Sequence, residues 1–92
     1  MRLLVTPTFE KAAKKLHLVE KADLDTAIKH IALHPVDSAA KVGDLSGIYV
    51  YKFRMAKQPT LVAYRCIDNA TIKLLMIGSH ENFYRDLKRI KE

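Results

Sequence analysis

At 92 residues the chain has the length of one domain around a modest core, too short for a cofactor domain beside a substrate domain, so any site must lie on the surface of one unit. Sixteen Lys and Arg against ten Asp and Glu leave a formal charge of +6, which favours a polyanionic partner (RNA, DNA, an acidic protein or an anionic membrane) without choosing among them. Cys66 is the only cysteine, so an internal disulfide is excluded; no apolar run approaches the roughly 20 residues of a membrane span, and the expectation is a cytoplasmic chain without a signal peptide or membrane association.

Met1 to Val5 reads as a short apolar strand closed by Thr6-Pro7, where threonine caps a helix and proline takes its first position. Phe9, Ala12, Ala13 and Leu16 follow at i, i+3, i+4 and i+7 with charges between them, one apolar stripe on a helix. Leu24, Ala27, Ile28, Ile31 and Ala32 mark a second helix. It ends near His34, because Pro35 disfavours helical geometry in the residue before it. His30 and His34 have the spacing of a metal-binding pair, but no third ligand of comparable placement follows and no metal is expected.

From Lys41 the period changes. Tyr49 to Met55 alternates, with Tyr49, Tyr51, Phe53 and Met55 on one face and Val50, Lys52 and Arg54 on the other. Lys57-Gln58-Pro59 is the expected turn, and Thr60 to Ile67 the next strand, with Val62, Tyr64 and Cys66 opposite Leu61, Ala63 and Arg65. Cys66 reads as a half-buried structural thiol. Asp68-Asn69-Ala70 signals a tight turn, and the mostly apolar Thr71 to Ile77 a strand covered on both faces. From Ser79 onward the tail reads as a helix, with Ser79 as cap and Phe83, Leu87 and Ile90 as its packing stripe.

The expected architecture is one α+β domain over 1–92 in the order β-α-α-β-β-β-α, an antiparallel sheet with the N-terminal helical hairpin packed on one face. If that face receives Tyr51, Phe53, Val62 and Tyr64, then Lys52, Arg54 and Arg65 come to the other. Three cations from adjacent strands would converge there on a patch the helices leave uncovered.

These residues resemble the RelE/ParE superfamily of bacterial toxins. The resemblance covers nearly the whole chain and rests on the helical hairpin ending in His34-Pro35, the segment Lys41-Val42-Gly43-Asp44-Leu45-Ser46-Gly47, the strand Tyr49 to Arg54, Leu61-Val62-Ala63-Tyr64-Arg65, and Ile77-Gly78-Ser79-His80 followed by Tyr84. It implies the RelE-like fold and the toxin role of a type II toxin-antitoxin system, with a cognate antitoxin as partner. RelE-like members are endoribonucleases that cut mRNA on the ribosome; ParE-like members keep the fold, poison DNA gyrase and lack the nuclease residues. By similarity Lys52 matches a catalytic-patch lysine, Arg54 a nearby basic position and Tyr84 the C-terminal tyrosine. His80 falls where RelE carries arginine and where branches such as YafQ and HigB carry histidine. Two positions depart from the RelE pattern: its first lysine falls at Val50 and its strand arginine at Leu61. Arg65, four residues on and on the same face, is the available substitute.

Cutting RNA without a metal or other cofactor requires an activated ribose 2′-hydroxyl, a stabilised phosphorane and a proton for the departing 5′ oxygen. Histidine suits proton transfer, a step that contributes roughly 10² to 10⁴ in rate, and His80 is assigned it, as general acid. Lys52, Arg54 and Arg65 are assigned to the phosphorane charge; Tyr84 is left open between orienting His80, bonding the phosphate and stacking on a base. Lys57, Arg85, Lys88 and Arg89 are candidates for gripping RNA, although cations near the end of the last helix also offset its dipole. Each assignment has a plainer counterpart: His80 as a surface histidine, Tyr84 as core packing, Lys52 and Arg54 as solvated charges or antitoxin contacts. The expected function is therefore an mRNA-cleaving toxin acting on the ribosome, with a gyrase-directed toxin or a non-catalytic basic RNA- or protein-binding module as alternatives.

Overall fold

The computed structural model describes residues 2–35, 40–42, 45–81 and 83–89. Met1, the Gly43-Asp44 pair, Ile90 and Lys91 therefore lie outside the described residues. The chain runs β1 (Arg2–Val5), α1 (Pro7–Lys14), α2 (Leu18–Leu33), β2 (Ala40–Val42), β3 (Leu45–Met55), β4 (Gln58–Asp68), β5 (Thr71–Gly78) and α3 (Phe83–Leu87). The α+β class and the expected elements are present, with β2 in addition, and five strands form one sheet in the order β1-β5-β4-β3-β2. The sheet is mixed: β1 runs parallel to β5, while the other neighbours pair antiparallel. The two-helix crossover carries the chain from β1 at one edge of the sheet to β2 at the other, and the antiparallel run from β2 to β5 returns to place β5 parallel beside β1.

Thr6 holds this crossover in place. Its side-chain oxygen accepts the Phe9 backbone N–H at 3.1 Å as the cap of α1, with Pro7 in the first helical turn. The same hydroxyl donates to the Leu75 carbonyl at 2.6 Å. Leu75 lies where the β4–β5 register slips between the pairs Tyr64–Leu74 and Ala63–Met76. One buried hydroxyl thus joins the end of β1, the start of α1 and an irregularity in β5. The apolar stripes read from the sequence then pack as expected, Phe9 of α1 and Leu24 and Ile31 of α2 closing over Val62, Tyr64, Ile72 and Leu74. Tyr64 is fully buried and donates its hydroxyl to the Pro35 carbonyl at 2.6 Å, tying β4 to the end of α2. Cys66 is half-buried at the margin of this core, and burial raises its thiol pKa above the ordinary value, in keeping with a structural thiol.

Helices cover both faces of the sheet, which corrects the expectation of an open second face. Ile48, Val50, Leu61, Ala63, Leu75 and Met76 form a second core there, closed by Phe83 and Leu87 of α3. Alternation placed the cations on this face but also placed an apolar row between them, and that row needs a cover. The last helix is only Phe83–Leu87, so Ser79 and His80 precede it and Ser79 is not its cap.

The β3–β4 turn also differs from expectation. Met55 pairs with Gln58, so Ala56 and Lys57 make the two-residue turn and Pro59 stands inside β4 opposite Arg54. Ala56 and Lys57 adopt φ of 51° and 69°, the left-handed conformations that a type I′ hairpin turn requires. The Ala56 N–H donates to Asp23 Oδ2 at 2.7 Å, anchoring the turn to α2.

Two substitutions test this framework. Thr6→Val keeps the side-chain volume and removes both hydroxyl bonds; urea unfolding is expected to register a loss of about 2–3 kcal/mol, with Thr6→Ser much nearer wild type. Lys57→Gly relieves a left-handed non-glycine residue and is expected to raise stability by about 1 kcal/mol in the same measurement.

Candidate functional site

β4 is the axis of the site. Leu61 pairs with Lys52 on one side and with Gly78 on the other, so the end of β5 delivers His80 beside Lys52. Lys52 and His80, together with Pro59, Thr60 and Leu61, line a cavity of about 210 Å³. Both charged or titratable groups at its mouth are exposed to solvent.

Phe83 and Tyr84, at the start of α3, steady His80. The His80 carbonyl accepts the Phe83 N–H at 3.3 Å, and Phe83 is buried in the second core. Tyr84 meets the His80 ring edge-on with centroids 5.9 Å apart, and meets Phe83 edge-on at 5.6 Å. Half-buried against the second core, Tyr84 therefore both packs and neighbours the imidazole.

The three strand cations share one face, as alternation requires, but they are spread along it. Arg65 pairs with Ile48, four residues along β3 from Lys52, a Cα separation of about 13 Å at a rise of about 3.3 Å per residue. Its side chain lies over Gly47, where an added Cβ would meet the guanidinium at 3.3 Å. Gly47 has φ of +80°, so that residue suits glycine both in conformation and in clearance. Arg54 turns the other way along the sheet: its guanidinium donates to the Lys57 carbonyl at 3.4 Å, and the residue borders a cleft between α2 and β3 rather than the cavity of Lys52 and His80. The structure thus brings together Lys52, His80 and Tyr84, and leaves Arg54 and Arg65 at opposite ends of the face.

Of the candidate RNA contacts, Lys57 is exposed at the hairpin tip, and Arg85, Lys88 and Arg89 are exposed on and just after α3. Arg85 Nε lies 3.7 Å from Asp86 Oδ1 in an exposed pair of little energetic weight. His30 and His34 sit with ring centroids 4.9 Å apart, and His30 stacks on Tyr51 at 5.3 Å; among the described residues no group of three or more His, Cys, Asp or Glu is placed to hold a metal ion. Pro59 and Leu61, which line the cavity, were read in the sequence as part of a turn and as a departure from the RelE pattern, not as cavity walls. The signal was present, since 59 and 61 share the parity that places them across from Arg54 and Lys52.

A second concavity lies on the opposite side of the molecule. Val5, Phe9, Ala13, Leu24 and Ile28 line a mostly apolar cleft of about 340 Å³ between α1 and α2, with Glu10, Lys14, Lys21 and Asp25 also lining it. The adjoining edge strand β1 leaves Leu3, Leu4 and Val5 each about two-fifths exposed, at 44%, 39% and 43%. Among the described residues, no helix is long and apolar enough to cross a membrane.

Comparison with known proteins agrees with this fold. Solved structures share the fold at low identity. Free E. coli RelE carrying two arginine-to-alanine substitutions is 20% identical, with 98% of this chain and 97% of that one covered at a TM-score of 0.75. A chain of the intact E. coli RelBE toxin-antitoxin complex is 18% identical, with 87% and 96% covered and a TM-score of 0.71. The archaeal RelE-RelB complex from Pyrococcus horikoshii gives 14% identity, 87% and 94% coverage and a TM-score of 0.59. No curated protein sequence gives a match. The family model for the ParE-like toxin of type II bacterial toxin-antitoxin systems matches residues 3–88, and with nearly the whole chain covered, this protein belongs to that family of toxins within the RelE/ParE superfamily.

Proposed function

We propose that this toxin is a metal-independent endoribonuclease that cleaves mRNA on the ribosome. One observation carries the reading: Lys52 and His80, distant in sequence, line the same cavity, with Tyr84 against the imidazole. In the proposed reaction the ribose 2′ oxygen attacks the adjacent phosphorus and the bond to the 5′ oxygen breaks. The 2′-hydroxyl proton passes to water, and His80 donates a proton to the departing oxygen. The Lys52 ammonium stabilises the extra negative charge of the phosphorane. Tyr84 holds the imidazole by its edge-on contact. Arg65, about 13 Å along the ladder at about 3.3 Å per residue, engages the next phosphates of the strand, and Arg54, Lys57, Arg85, Lys88 and Arg89 add to the field that gathers RNA. The setting is the cytoplasm, and no cofactor enters the scheme.

A cognate antitoxin is the proposed protein partner. The solved relatives include RelE toxins bound to RelB, and the apolar cleft between α1 and α2 offers this chain a seat for an apolar segment that orders on binding.

A second reading has its own support. The matching family model is that of ParE-like toxins, and Val50 and Leu61, where the RelE pattern has cations, are buried in the second core. On that reading the target is DNA gyrase and the cavity is idle.

Mapping transcript 5′ ends after brief induction separates the two. Wild type is expected to cut at a fixed offset within codons, His80→Ala to cut at least about 10²-fold less, and Lys52→Ala to fall by about 10² as well, all with unchanged unfolding midpoints. Intact transcripts together with trapped gyrase on DNA would transfer the assignment to the second reading, and harmless expression without an antitoxin would leave a non-catalytic binding module.

A further inference from the structure

The cavity beside His80 has a shape that phosphate chemistry alone does not require. A phosphate needs donors and charge at a surface, whereas here a recess of about 210 Å³ opens behind them. Pro59 and Leu61 lie on the same side of β4 as Lys52, across from Arg54 and Lys52 in the ladder, so the recess is walled by a proline ring and a leucine. Leu61 is paired with both β3 and β5, Pro59 has no N–H to offer, and the Thr60 hydroxyl already donates to the Gln58 carbonyl at 3.0 Å. The interior is thus apolar and poor in free hydrogen-bonding groups, while its mouth carries the Lys52 ammonium and the His80 imidazole. The volume is below the roughly 300–1,000 Å³ of sites for drug-sized ligands, enough for a ring system and not for a whole nucleotide.

We propose that this recess is a base subsite: it takes the nucleobase of the nucleotide whose phosphate sits between Lys52 and His80. The base packs on the exposed Pro59 ring, above the buried Leu61 that floors the recess, and is selected by the size and stacking of its ring, with no hydrogen-bond readout of its edge. The inference rests on the reading of Lys52 and His80 as the phosphate-handling groups. It adds that sequence preference, where cutting occurs, is set by packing at one nucleotide beside the cut.

The test is binding, so it needs no cleavage. The purified full chain is titrated with adenosine 3′-monophosphate, cytidine 3′-monophosphate and base-free ribose phosphate while backbone amides are followed by NMR. At least one nucleotide is expected to bind about tenfold or more tighter than ribose phosphate, a gain of the order that burying a ring supplies, with the Thr60 and Leu61 amides shifting along with Lys52 and His80. Pro59 is exposed, so Pro59→Trp can fill the recess without disturbing the core; it is expected to remove the advantage of the base and keep the binding of ribose phosphate. Pro59→Gly, which removes one wall and fills nothing, is expected to reduce that advantage about threefold, and the amide spectrum of each variant reports whether it is folded. Equal binding of nucleotides and ribose phosphate overturns the subsite, as does an advantage that survives in folded Pro59→Trp. A chain that cuts RNA with no base-dependent binding loses the subsite alone, and one that binds bases there but never cuts loses the nuclease reading alone.

Discussion

Burial of Phe83 against the second face of the sheet is the interaction on which the site depends. The residue is 1% exposed, and covering a phenylalanine side chain from water is worth about 1.5–3 kcal/mol. Its amide also reaches back to the His80 carbonyl. Between the end of β5 at Gly78 and this anchor the chain has four residues, so the path of the connection, and with it the location of His80, follows from a hydrophobic contact several residues away. Clearance does not demand glycine at Gly78, since a Cβ there would stand 3.5 Å from the Phe83 ring, in ordinary contact and without clash.

The same cover explains why the basic face is divided. Between Lys52 and Arg65 the alternating positions are Val50 and Ala63, both buried, and they must be, because α3 rests on them through Phe83 and Leu87. A continuous strip of cations down this face would leave α3 without a seat, since a buried unpaired charge costs far more than an apolar contact returns. Packing therefore sets the spacing of the charges: Lys52 stays at one margin beside His80, and Arg65 at the other beside Gly47. An extended anion with phosphates several ångströms apart matches such a spacing better than a single compact one does.

Much of the fold was legible because it rests on local physics. Thr6-Pro7 announced a helix start through a cap oxygen and a proline that needs no donor, and both roles are present. The parity of Tyr49 to Met55 and of Leu61 to Arg65 assigned the faces correctly, because alternation follows from strand geometry alone. The features that escaped depended on partners distant in sequence. Ala56-Lys57 carries no glycine or asparagine, and the left-handed turn there is held by Asp23 from α2. The nearby Pro59 misled, since in β4 it occupies a position that has no need of an N–H. The shift at Leu75 left no local mark, and its stabilising partner is Thr6, 69 residues away. The expected convergence of Lys52, Arg54 and Arg65 failed for a different reason: parity specifies a face, whereas position along the strand, and the cover of α3, decide which residues on that face can meet.

The family and the cavity pull the functional reading in different directions, and the geometry gives each a definite place. The departures at Val50 and Leu61 are both core positions under α3, so they describe how the helix is seated as much as which chemistry was kept. Lys52 and His80 stand outside that core, at its margin, where a change of side chain costs little stability. Side chains can diverge at such margins while the fold is kept, because the buried row answers to packing and the exposed pair does not. In this chain the pair still shares one recess with a tyrosine ring set against the imidazole, an arrangement that packing of the core does not demand.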